Sequence, residues 1–149
     1  MYGFVRVGAA VPKLHLADCI ANQQEILSLV QQAAQAGVQV LTFPELTITG
    51  YTCADLFFQS PLLDAAQEAL KQIAAQTASV PMVLLLGVPV AVDNQLFNCA
   101  AVLHQGKILG LVPKTFIPTY NEFYEERWFA SANDLISEEI TYAGQTVPI

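Results

Sequence analysis

The sequence predicts an α/β chain in which a strand, a helix, a strand, a helix and three strands follow one another, with parallel and antiparallel pairing in one sheet. Three observations predict it. Two stretches with apolar residues at helical spacing alternate with short apolar runs. Three later runs are separated by two-residue turn signals. The 149 residues, 54% apolar and 13% charged, have the length of one domain and ample material for a core.

The first strand is predicted from Phe4 to Val11, closed by Pro12. Asp18 then offers an N-cap, and Cys19, Ile26, Val30 and Ala33, with Leu27 and Ala34 beside them, mark a helix that Gly37 ends. The amide clusters Asn22, Gln23, Gln24 and Gln31, Gln32, Gln35 are expected mostly on its solvent side. A second strand runs from Val38 to Phe43. Ser60-Pro61 has the N-cap and N1 pattern of a second helix, along which Leu62, Ala66, Ala69, Leu70, Ile73 and Ala74 form one apolar face. Val83 to Val90, Leu96 to Leu103 and Lys107 to Val112 are then joined by tight turns at Asp93-Asn94 and Gln105-Gly106 into a meander. The tail from Asn133 is more acidic, and a strand begins at Thr146 to Ile149.

Composition excludes several function classes. The net charge is -7, and the six Lys and Arg residues are scattered singly, so no basic stripe exists for nucleic acid. The longest nearly uninterrupted apolar stretch, Val80 to Val92, contains Pro81, Gly87 and Pro89 and falls short of the ~20 residues of a membrane helix. The opening MYGFVRVGAAVPKLHL lacks the cationic start and apolar core of a leader peptide, so a cytoplasmic address is expected. Cys19, Cys53 and Cys99 have no metal-ligand spacing and read as reduced thiols. His15 and His104 read as structural, with no metal site implied.

Two candidates for chemistry stand just past apolar runs: Glu45 after Val38 to Phe43, and Lys114 after Ile108 to Val112. In open α/β proteins such positions face a crevice. Glu45 lies in PELTITGYTCADLF and Lys114 in PKTFIPTYNEFYEERWF. Both strings, in this order and at this separation, resemble the carbon-nitrogen hydrolase (nitrilase) superfamily, whose members use a Glu-Lys-Cys triad. Within it they look like the amino-terminal glutaminase domains of glutamine-dependent NAD+ synthetases.

The resemblance runs from Val5 to about Trp128, roughly half of that domain. It implies the first part of a four-layer α-β-β-α sandwich, truncated before the nucleophilic Cys, which would lie beyond Ile149. The activity implied is hydrolysis of the glutamine side-chain amide through a cysteine thioester. Ammonia would pass to a separate synthetase domain, absent here, that uses ATP and Mg to amidate nicotinic acid adenine dinucleotide. No GxxxxGK[ST] loop occurs, so no cofactor is expected in this chain. Homo-oligomerisation is also implied.

By the same resemblance Glu45 is general base and acid, and Lys114 is the cation at the oxyanion. Glu122 is the supporting carboxylate that braces the lysine, without which the ammonium would be an unpaired buried charge. Glu125 corresponds to the group binding the α-amino end of glutamine, and Tyr51, Tyr120 and Phe123 to residues around it. Arg127 is the local candidate for the α-carboxylate. Cys53, eight residues after Glu45, is not at the nucleophile's position, and no activating base stands beside it in sequence. A carbon-nitrogen hydrolase acting on a nitrile, carbamoyl or aliphatic amide substrate is an alternative, as is a non-catalytic interaction module keeping half the fold. The DLF and EFYEERWF flanks favour the synthetase branch. Taken alone, the chain is expected to be inactive.

Overall fold

In the computed structural model, which describes residues 3–149, β1 (Val7–Ala9), β2 (Val40–Thr42), β3 (Val83–Val92), β4 (Gln95–His104) and β5 (Lys107–Pro113) form one sheet in that order. Met1 and Tyr2, at the head of the opening segment in which no leader is expected, lie outside the described residues. β1 pairs parallel with β2, and β2 with β3; β4 and β5 continue antiparallel. Helix α1 (Cys19–Gln35) joins β1 to β2, and α2 (Ser60–Gln76) joins β2 to β3. Parallel crossovers share one hand, so two that step the same way across a sheet lay both helices on one face. There the helices pack on each other, and α2 packs on β3.

Burial follows the pleat. Leu84, Leu86, Val88 and Val90 oppose Leu103, Ala101, Cys99 and Phe97 across β3 and β4, and all eight are 2% exposed or less. Burying each Leu, Val or Phe contributes about 1.5–3 kcal/mol. The opposite face is also apolar but open: Leu109 and Val112 on β5 are 50% and 58% exposed. Both predicted turns join their strands as expected. Asp93 and Asn94 have φ of 53° and 59°, and Gln105 and Gly106 of 48° and 81°, the two positive values that match strand twist in a hairpin.

Several expectations are corrected. The first strand is three residues long because its partner β2 is equally short. Val38 belongs to the helix exit, its N–H donating to Ala33 O at 3.0 Å. Ser60 is already helical, and the cap position is Gln59, which makes no side-chain bond. Asn22 is not on the solvent side of α1. It is fully buried, donating to His15 O at 2.8 Å and Ile48 O at 2.9 Å. The last strand, β7, spans Gln145–Pro148 and pairs with an unforeseen β6 (Glu139–Tyr142) through Ala143-Gly144, at φ 51° and 78°.

Candidate active site

Beyond β2 the chain turns sharply. Phe43 still donates to Leu85 O at 2.9 Å, but Leu46 adopts φ 50°, and Thr49 and Gly50 both donate to its carbonyl. Ile48 N–H reaches Gly87 O at 3.2 Å. A Cβ on Gly87 would stand 2.1 Å from Leu46 N and 2.7 Å from the Glu45 carbonyl carbon. The elbow therefore rests on the bare backbone of β3, which requires glycine there. Asn22 secures the other side through Ile48 O. The result is a fixed exit that carries Glu45.

Lys114 arrives from β5. Its N–H donates to Asn98 O at 2.8 Å, extending the β4–β5 ladder past Pro113. Its Nζ lies 2.8 Å from Glu45 Oε1, 2.9 Å from Glu125 Oε2 and 3.2 Å from Glu125 Oε1. Burial pulls the lysine pKa down, but the hydrogen bonds and charges of Glu45 and Glu125 outweigh it and hold the pKa above the ordinary value. Tyr51 Oη donates to Glu125, and burial together with that bond pushes its pKa up. Asn98 Nδ2 donates to Glu45 Oε1. Glu45, Asn98 and Lys114 line a cavity of about 390 Å³ on the open face of the sheet.

The structure brings Glu45, Lys114, Glu125 and Tyr51 into one cluster, and the second carboxylate on Lys114 is Glu125. Glu122, expected to brace the lysine, is exposed at the edge of a neighbouring cavity of about 210 Å³. Glu125 makes the brace instead, at 3% exposure. The reason is local: Asn121, at φ 52°, reverses the chain so that Phe123 N–H reaches Tyr120 O, and Glu125 N–H is tied to Pro118 O at 3.1 Å. Glu125 thus has its carboxylate on Lys114 and Tyr51. Phe123 lines the smaller cavity with Tyr51, while Tyr120 is 64% exposed and packs edge-on against Phe123.

Arg127 is committed elsewhere: Nε and Nη2 donate to Asp55 at 2.7 and 2.8 Å, and Trp128 Nε1 donates to the same carboxylate at 2.9 Å. This clamp joins the two motif segments. Asn98 is the cavity residue that sequence reasoning missed. The signal was available: it is a polar residue inside the apolar run LFNCAAVL, and buried polar groups need partners. No group of acidic, His and Cys side chains able to hold a metal occurs among the described residues, and no described helix is long and apolar enough to cross a membrane.

All three cysteines are buried and free. Burial pushes Cys19 up to about 11, with the Cys53 and Asp18 charges adding, and Cys99 up to about 12. Burial also raises Cys53, whose Sγ donates to Thr49 O. None is a ready thiolate. A thiol that is harder to ionise when folded contributes stability fully present below its unfolded value, 9.0, and lost as pH rises through the folded value. Stability against urea is expected to hold from neutrality to about pH 9 and then fall by on the order of 6 kcal/mol toward pH 12. A urea midpoint unchanged at pH 11 would contradict this.

The chain is similar to known proteins along most of its length. The model of the carbon-nitrogen hydrolase family matches residues 7–146. The glutamine-dependent NAD(+) synthetase of Mycobacterium tuberculosis is 39% identical over 129 residues, which is 87% of this chain and 19% of that protein. The Aquifex aeolicus protein of the same name is 30% identical over 125 residues, 84% of this chain and 22% of that one. The chain thus spans about a fifth of the curated relatives it matches. A crystal structure of a glutamine-dependent NAD(+) synthetase from Cytophaga hutchinsonii aligns with a TM-score of 0.87 at 30% identity, covering 97% of this chain and 24% of that one. An amidase from Nesterenkonia sp. AN1 aligns with a TM-score of 0.72 at 20% identity, covering 97% and 54%, and shares the fold.

Proposed function

The chain belongs to the carbon-nitrogen hydrolase family, and from that membership we propose that it carries the acid-base and cationic half of a glutaminase site in a glutamine-dependent NAD+ synthetase. The observation that carries the reading is the single ammonium of Lys114 held between Glu45 and Glu125 at the mouth of a polar-tipped cavity. In this reading the nucleophilic thiol comes from outside the 149 residues, since each cysteine within them is buried with a raised pKa. Glu45 takes the thiol proton as sulfur attacks the amide carbon of glutamine. Lys114 faces the oxygen on which negative charge develops. Glu45 then returns the proton to the leaving nitrogen, ammonia departs, and a water activated by the same carboxylate hydrolyses the thioester.

Glu125 keeps the lysine in place and charged throughout. The ammonia would serve amidation in a separate ATP- and Mg-using domain, and the assembly would be a cytoplasmic homo-oligomer. The test is glutamine hydrolysis by the product of the whole reading frame containing these residues. Glu45→Gln and Lys114→Met are each expected to lower kcat by about 10²–10⁴-fold. Full activity in Glu45→Gln, or turnover of short aliphatic amides in preference to glutamine, would sink the proposal.

A further inference from the structure

Glu45 is unevenly held. Its Oε1 accepts from both Lys114 Nζ, at 2.8 Å, and Asn98 Nδ2, and among the described residues no hydrogen bond reaches Oε2. Asn98 is 4% exposed in the middle of β4 and opposite Pro89 of β3, so its backbone cannot drift. Against a carboxylate, which only accepts, the amide must present its NH₂. The main chain of the same residue anchors the lysine, Asn98 O accepting from Lys114 N at 2.8 Å. One strand residue therefore sets both members of the pair: its carbonyl fixes where Lys114 leaves β5, and its amide fixes the rotation of the Glu45 carboxylate.

We infer that Asn98 is a positioning residue that holds Glu45 Oε1 occupied, so that Oε2 alone is left to exchange the proton with the thiol and the leaving amine. This rests on the glutaminase reading. A carboxylate free to rotate would present either oxygen and would swing away from Lys114. With Oε1 pinned by two donors, the free oxygen has one direction, and proton transfer depends on such alignment. The elbow fixes the Glu45 backbone through Gly87, and among the described residues Asn98 and Lys114 alone donate to its carboxylate.

The experiment compares Asn98→Leu and Asn98→Asp, alone and on a Glu45→Gln background, in the product of the whole reading frame. Asn98→Leu fills the site without a donor; Asn98→Asp keeps the shape and removes the donor. The expected result is a roughly 10²-fold loss of kcat with KM within about two-fold, and no further loss once Glu45 is Gln. Equal losses on both backgrounds would show that Asn98 merely supports the strand and would overturn the inference, as would full kcat in Asn98→Asp. If the wild-type protein hydrolyses no glutamine, the proposed function fails, and the inference is read separately by NMR with ¹⁵N-asparagine labelling. Glu45→Leu should move the Asn98 side-chain amide signal, and an unmoved signal would overturn the contact.

Discussion

Gly87→Ala is expected to dislodge the Glu45 elbow, costing about 3 kcal/mol or more of stability and about 10²-fold in kcat in the whole enzyme. The added Cβ would meet only main chain, at 2.1 Å from Leu46 N, 2.7 Å from the Glu45 carbonyl carbon and 2.8 Å from Pro44 O. No rotamer change relieves such a clash. Either β3 moves, opening the eight-residue core of β3 and β4, or the elbow lifts and takes Glu45 off Lys114. Gly110→Ala is the control, since its Cβ would meet Pro148 at an ordinary 3.5 Å, and it should change stability by less than about 1 kcal/mol. Urea denaturation of both variants checks this, and equal midpoints would refute it.

Lys114→Met should cost about 3–5 kcal/mol, because it strips the cation from a carboxylate that is 3% exposed. Tyr51 still donates to Glu125, but one neutral donor does not replace an ammonium. The second site identifies the cause. Adding Glu125→Gln should restore at least about 2 kcal/mol, since the buried charge is then gone. Glu45 contributes little to this loss, being 41% exposed at its side chain, where water solvates its carboxylate in place. If the double variant is less stable than Lys114→Met alone, Glu125 was not the stranded group.

The fold was legible where periodicity and turn chemistry agree. Both helices, and the meander through Asp93-Asn94 and Gln105-Gly106, could be read because apolar spacing and left-handed turn positions are properties of neighbours in sequence. β6 was not legible: EITY offers four residues of mixed polarity, and its strand character comes from pairing with QTVP. In the site, the positions of Glu45 and Lys114 past their strands could be read. The exchange between Glu122 and Glu125 could not. Three residues apart in an irregular segment, they differ only through the turn at Asn121, whose positive φ is a tertiary outcome. The pairing of Arg127 with Asp55 could not be read for a like reason, since Asp55 lies 72 positions away. Asn98 was within reach through its isolation in an apolar strand, although its partner was not.

Trp128 is the chain's one tryptophan, and its indole N–H is bonded to Asp55 across the joint between the two motif segments. It also borders both the 210 Å³ cavity beside Glu125 and a larger surface hollow of about 700 Å³ beside the β3–β4 turn. The molecule thus contains a single-site optical gauge. Its emission colour reports whether the half-buried indole is bonded to Asp55 or released to water, and so tracks the registry of the two segments without any label.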